Sequence, residues 1–312
     1  MNKPQENNLI DCCIIGGSAA GLSAALILGR CNRKVLVFDD GKYRNYAVDK
    51  MNGYLGFDGS DPKEFRAKAR KDLEKYDVKI INSHVDNIEM IGGYGEHFFI
   101  VYYEFYTVKT KTVILATGLI DQLPEIPGLK ENYGKKIYHC SVCDLFEYRN
   151  QKIGIHGELG LDFALVSKTW SDDVIWFADK EPSEEEKQIC RDNKIQVVWE
   201  KIVKFTFGES KLRVWVETNG NTKLSNNHLI DVVFLSLLKG QKQRSKLAEK
   251  LGLKVTKENG IECTNEEGET SILGCYAAGD STRDHLLSIV AASEGCIAAI
   301  NCSSYIRKVW GK

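Results

Sequence analysis

Short unbroken apolar runs, separated by glycine turns and charged stretches, set the rhythm of this chain. Leu9 to Ile15 is such a run and reads as a buried parallel strand. It leads into Gly16-Gly17-Ser18-Ala19-Ala20-Gly21 and a helix predicted over Leu22 to Arg30. A second strand, Lys34 to Phe38, ends on Asp39-Asp40. A charged helix is expected from Pro62 to Tyr76, with Asp61 as its start signal. Strands are predicted over Asp77 to Ile81, Val85 to Ile91, Phe98 to Val108 and Lys111 to Leu115, with a turn at Gly92 to Gly95. Ala116-Thr117-Gly118 ends this sheet.

The pattern then starts again. Two of the five prolines fall between Leu123 and Gly128, and a domain boundary is placed near Leu119 to Gly128. Beyond it come a strand over Lys152 to Ile155, the turn His156-Gly157-Glu158-Leu159-Gly160, a helix over Leu161 to Trp170 and a strand over Val174 to Phe177. A helix (Glu184 to Asn193) and three strands (Gln196 to Glu200, Val203 to Phe207, Leu212 to Glu217) follow. Asn219-Gly220 reads as a hairpin turn, and Leu229 to Leu238 as one buried strand. From about Ser245 the chain returns to its first unit, with a strand running into Gly279-Asp280, a helix from Leu287 to Tyr305, and a tail that carries Trp310. Strands alternating with helices make the fold class α/β.

Composition narrows the partners. A chain of 312 residues has room for two domains, each with its own core. A net charge of -1 offers no basic excess for nucleic acid or an anionic membrane. Most of the ten cysteines, Cys12, Cys13, Cys296 and Cys302 among them, lie in apolar runs and read as small core residues. Met1 to Asn8 carry no apolar signal core, and Asp11 with the glycines breaks the apolar stretch Leu9 to Leu28 that imitates a membrane span. A reducing, cytoplasmic setting is expected.

Two motifs carry chemistry. Strand, glycine turn, helix, strand and terminal acid form a dinucleotide fingerprint in its proper context. Gly16 allows the tight turn, Ser18 stands where the second fingerprint glycine is usual, and Asp39 can take ribose hydroxyls. The second motif is Cys140-Ser141-Val142-Cys143-Asp144, a dithiol pair with a carboxylate placed to move a proton. Zinc is the alternative for such a pair, but it needs four ligands, and the sequence has no second Cys-x-x-Cys or His pair.

Taken together, these stretches resemble the low-molecular-weight thioredoxin reductase family of FAD-dependent disulfide oxidoreductases. The resemblance rests on the glycine turn after Ile15, on Ala116-Thr117-Gly118, on Cys140 to Asp144, and on Ala277-Ala278-Gly279-Asp280. It implies two Rossmann-like domains, FAD-binding over 1–119 and 248–312, with a nucleotide-binding-type domain, 120–247, inserted and carrying the cysteines. It implies FAD contacts at Gly16, Ser18, Ala19, Ala20, Asp39, Asp40, Arg44, Asn45, Asn52, Val85, Ala116, Thr117, Gly118, Gly279 and Asp280. It assigns Cys143 to face the flavin, Cys140 to exchange with the partner, and Asp144 as acid/base. A homodimer and a thioredoxin-like partner are further implications.

The electron donor departs from that pattern. The family implies NADPH, yet the first position of the second fingerprint is Ile155, and no arginine pair follows at Ala178-Asp179-Lys180-Glu181 to hold a 2′-phosphate. Ferredoxin or another donor is the substitute. The same departure suits a competing activity, an FAD-dependent oxidase of small dithiols that uses oxygen. A non-enzymatic flavoprotein is a third reading, opposed by the intact Cys-x-x-Cys-Asp. His139 could lower the pKa of Cys140, and Trp310 could stack on a flavin ring; both residues have simpler structural readings.

Overall fold

The computed structural model describes residues 9–93, 97–208, 210–218, 221–237, 240–282 and 285–311. Met1 to Asn8, Tyr94-Gly95 of the first glycine turn, and the Asn219-Gly220 turn lie outside the described residues. The chain opens with β1 (Ile10–Ile15), α1 (Ala19–Arg30), β2 (Val35–Phe38), α2 (Pro62–Leu73) and β3 (Val78–Ile81), then β4 (Asn87–Ile91), β5 (Phe98–Tyr103) and β6 (Tyr106–Leu115). Asp61 caps α2, its side chain accepting from the Lys63 amide, with Pro62 at the first turn. β7 (Leu119–Asp121), α3 (Leu129–Asn132), β8 (Ile137–Tyr138) and α4 (Ser141–Asp144) lead into β9 (Ile153–Gly157), α5 (Gly160–Ser167), β10 (Val174–Phe177), α6 (Glu184–Asp192) and β11 (Gln196–Val198). β12 (Ile202–Gly208), β13 (Lys211–Thr218), β14 (Asn221–Ile230), β15 (Val232–Ser236), β16 (Gln241–Gln243), α7 (Leu247–Lys250), β17 (Cys275–Ala277) and α8 (Ser288–Trp310) complete it.

Two main sheets result, a larger mixed one in which β4-β5-β6 pair antiparallel and the other strands parallel, and a smaller parallel one. The larger runs β3-β2-β1-β6-β5-β4, with β17 also on β6; the smaller runs β11-β10-β9-β15-β8. The register of the larger sheet positions the site. Ile15 lies beside Phe38 and Leu115, and Leu115 beside Ala277, so four strands end at one edge. Gly16, Asp39, Ala116 and Ala278 therefore leave the sheet side by side, where α/β sheets place ligands. The chain passes between the sheets on an antiparallel ribbon, with Leu119 of β7 opposite Gln243 of β16 and Asp121 opposite Gln241.

Three expected elements come out differently. Phe98 to Val108 is a hairpin, not one strand: Glu104 turns with φ 49°, and Tyr103 pairs with Tyr106. No glycine or proline marks this turn, so continuous β propensity conceals it. Leu229 to Leu238 is divided at Asp231, and β14 and β15 belong to different sheets. The Asp231 carboxylate accepts from the Lys152 amide and from Lys211 Nζ, which fixes the break. The last helix continues through Trp310 and stops at Gly311, which has φ 68°. Trp310 packs on the core of its own domain with Lys111 Nζ 5.7 Å over the ring, so within this chain it is a helix anchor and not a cleft residue.

Among the described residues, α8 is long and apolar enough to cross a membrane. Here Ala291, Ala292, Gly295, Ala298, Ala299, Cys302 and Ile306 of α8 are buried. The helix lies on α1 so closely that a Cβ at Gly295 would stand 2.1 Å from the Ala20 carbonyl oxygen. Gly295→Ala should therefore lower stability by at least about 2 kcal/mol, since two helix backbones must separate to admit it. Denaturant unfolding checks this; a midpoint equal to wild type would mean the contact yields freely.

Candidate active site

The two cysteines form a disulfide, Cys140–Cys143. β8, parallel to β15, brings the segment to the cleft edge, and the backbone then turns into α4. Cys140 occupies the cap position, and the Cys143 N–H donates to Cys140 Sγ at 3.2 Å. A hydrogen bond aimed at that sulfur favours its thiolate once the pair is reduced.

Asp144 ends α4 beside the pair. Burial, and then the nearby Glu147 carboxylate, push its pKa up to about 7. A carboxyl poised there takes or gives a proton near neutrality. His139 does the opposite of what its position suggested. Burial lowers its pKa to about 4, with Asp121 pulling up and Arg44 pulling down, so the ring is neutral and brings no positive charge to Cys140. Its Nε2 faces Arg44 Nη2 at 3.2 Å and its Nδ1 faces the Tyr133 hydroxyl at 2.6 Å. Arginine can only donate, so Nε2 accepts, and the ring proton sits on Nδ1 toward Tyr133.

One cleft of about 340 Å³ gathers every residue that the resemblance assigned to cofactor binding or catalysis. Its walls include Gly16, Ser18, Ala19, Ala20, Asp39, Asp40, Arg44, Asn45, Asn52 and Val85, then Ala116, Thr117, Gly118, Gly279 and Asp280. Cys140, Cys143 and Asp144 line it too, as do Leu286 and Leu287. The walls suit FAD. Ser18 precedes α1 without capping it by a side-chain hydrogen bond, leaving the first amides of that helix open to a pyrophosphate. Gly16 has φ 121°, and Gly118, at φ 65°, has nothing within 4 Å of where a Cβ would stand, as a cradle for a flat ligand requires.

Several partners were not visible in the sequence. Asp39 lies under Gly17, and its carboxylate already accepts from Arg70, from the Tyr43 hydroxyl at 2.6 Å and from the Gly41 amide at 2.9 Å. Tyr43 and Arg70 thus buttress the acid expected to meet ribose. Arg44 pairs with both oxygens of Asp121, at 2.9 and 2.8 Å, and with Asp280 Oδ2 at 2.9 Å. Burial lowers the Arg44 pKa, but the bonds and charges of Asp121 and Asp280 outweigh it and raise the balance. Glu294 of α8 accepts from the Gly279 amide at 2.7 Å and the Thr282 hydroxyl at 2.9 Å, and so fixes the turn that presents Asp280. Only their positions in space connect Asp121 and Arg70 with the motifs.

Residues 10–295 match the family model described as "Pyridine nucleotide-disulphide oxidoreductase". The chain belongs to this family. Its low-molecular-weight, thioredoxin reductase-like branch is the one its relatives represent. The thioredoxin reductase tcpT of Claviceps purpurea is 31% identical over 88% of this chain and 87% of its own length. A probable thioredoxin reductase of Arthroderma benhamiae is 41% identical over 54% of this chain, a match that spans only 43% of that protein. The crystal structure of HlmI superposes with a TM-score of 0.89 at 28% identity, covering 99% of this chain and 96% of that one. Membership in this oxidoreductase family agrees with a mixed α/β fold, a cleft shaped for FAD and a disulfide on its wall.

Proposed function

We propose that this enzyme is an FAD-dependent disulfide oxidoreductase exchanging the Cys140–Cys143 pair with a thioredoxin-like disulfide or a small dithiol. The observation that supports it most is the disulfide lining the same cleft as the glycine turn and the Gly279-Asp280 turn. When bound, FAD would supply the two-electron couple that lets the pair cycle between disulfide and dithiol. Ser18, Ala19 and Ala20 would hold its pyrophosphate, and Asp280 its polar chain. The cofactor unit is taken as 1–119 with 248–312, and the unit bearing the cysteines as 120–247. A cytoplasmic homodimer belongs to the same reading.

In the reducing direction, the Cys140 thiolate attacks a partner disulfide, a mixed disulfide forms, and one partner thiolate leaves. The Cys143 thiolate then attacks Cys140 Sγ, releasing the second partner thiol and restoring Cys140–Cys143. Asp144 supplies the proton each departing thiolate needs and takes it back from the attacking thiol in the reverse direction.

The second unit argues against NADPH as donor. Ile155 is fully buried within β9, and a Cβ at Gly160 would stand 2.1 Å from Trp176 Nε1, so the turn is packed on its own sheet. His156 bonds the Phe177 carbonyl oxygen and faces Asp179, an acid where a 2′-phosphate would need arginine. The same features favour a second reading, oxidation of small dithiols by oxygen, because Cys140 and Cys143 are both half-exposed while they line the cleft. Without oxygen, micromolar NADPH should leave the absorbance of bound flavin unchanged, whereas dithiothreitol or reduced ferredoxin should bleach it. Bleaching by NADPH would sink the nicotinamide-independent reading, and peroxide release on adding dithiols in air would select the oxidase.

A further inference from the structure

Exchange chemistry alone does not explain why one loop touches the redox segment at both of its ends. The stretch after β2 supplies both contacts. Arg44 Nη2 donates to His139 Nε2 at 3.2 Å, immediately before Cys140. Asn52 Nδ2 donates to the Cys143 carbonyl oxygen at 2.8 Å, at the second cysteine. Between them the loop also packs on the turn that leads into β8, since a Cβ at Gly134 would stand 2.3 Å from the Ala47 carbonyl oxygen.

Arg44 is itself held rigidly. Its Nε and Nη2 grip both oxygens of Asp121, and Nη1 reaches Asp280. With the contact to His139, four of its five N–H groups have protein partners. Its side chain is 15% exposed and that of Asp121 5%, so the fork is locked in place, away from competing water. Asp121 is fixed in turn by Gln241 Nε2 at 3.0 Å and by the Tyr133 hydroxyl at 3.4 Å. The cluster thus draws on the loop after β2, both strands of the connecting ribbon, the Gly279-Asp280 turn and the redox segment.

We propose that Arg44 and Asn52 are positioning residues that bracket the Cys140–Cys143 pair and hold it on the cofactor cleft, Arg44 through His139 and Asn52 through the Cys143 carbonyl. The proposal rests on reading this cleft as the flavin site. It moves Arg44 and Asn52 from the cofactor contacts that the resemblance implied to links between two parts of the protein. Neither residue touches the sulfurs, so exchange at the disulfide proceeds without them, and only communication between disulfide and cleft depends on the bracket.

The FAD-loaded enzyme provides the test, with dithiothreitol as the probe under anaerobic conditions. Two rates are followed: appearance of the Cys140 and Cys143 thiols by thiol titration, and bleaching of the flavin absorbance. In the Arg44→Lys/Asn52→Ala double variant, thiol appearance should match wild type while bleaching slows at least about 10-fold, with FAD retained. A general loss of structure would move both rates together. Bleaching at the wild-type rate overturns the proposal, and so does loss of FAD on Arg44→Lys or Asn52→Ala alone, which would make that residue a cofactor ligand. If the double variant does not fold, Asn52→Ala alone removes one hydrogen bond and should slow bleaching about threefold; an unchanged rate there overturns the bracket. Failure of dithiothreitol to bleach the wild-type enzyme, despite thiol appearance, overturns the reading of the cleft and the bracket with it.

Discussion

Cys143→Ser reduces disulfide turnover at least about 10³-fold while leaving FAD binding intact. Once one sulfur is gone, Cys140 can still attack a partner disulfide, but no second thiolate remains to resolve the mixed disulfide. The expected product is therefore a trapped covalent adduct with the partner, visible as a mass shift that a reductant reverses. Cys140→Ser loses turnover equally but traps nothing, because the sulfur that meets the partner is missing. The pair of results tests the assignment of roles: an adduct on Cys143 in the Cys140→Ser protein, and none in the Cys143→Ser protein, would reverse it. Turnover at the wild-type level in either variant would leave the disulfide without a catalytic part.

Asp144→Asn should lower kcat about 10²–10³-fold and erase a pH dependence centred near 7. The carboxyl is held at about 7 because burial penalises its charged form and Glu147 adds to the penalty. Below that pH it carries the proton a departing thiolate needs, and above it accepts one from an attacking thiol. Stability must move the other way. The folded pKa lies above the ordinary 3.8, so the favourable contribution of the neutral carboxyl is fully present below about pH 4 and is lost as pH rises to 7. At about 1.4 kcal/mol per pH unit, the asparagine variant gains up to about 4 kcal/mol over wild type at pH 8 and nothing at pH 4. Thermal unfolding across that range, set beside the kinetics, separates a proton-transfer role from a packing role. A variant both slower and less stable at pH 8 would contradict the assignment.

Chemistry was most legible where residues lie close along the chain. The fingerprint around Gly16, the strand-end acids and the Cys-x-x-Cys all declare themselves within a few residues, because turn geometry and thiol pairing are local constraints. All of them line one cleft. What escaped the sequence is of two kinds. The hairpin at Glu104 and the break at Asp231 interrupt runs whose apolar and β-branched character continues across them, so pattern alone joins what pairing divides. The Arg44 cluster unites positions 44, 121, 139, 241 and 280, and no spacing along a chain encodes such a meeting.

His139 shows the distinction most plainly. Adjacent to Cys140, it suggested an activating charge. Burial instead keeps the imidazole neutral, and its nitrogens serve Arg44 and Tyr133. By itself the sequence determined the α/β class, the cofactor turn and the identity of the reactive sulfurs, because each depends on residue type and short-range periodicity. Tertiary structure alone decided which side chains hold those sulfurs against the cleft and what protonation state their neighbours keep. Burial and buried ion pairs depend on where distant segments meet, and that is settled only when the sheets have packed.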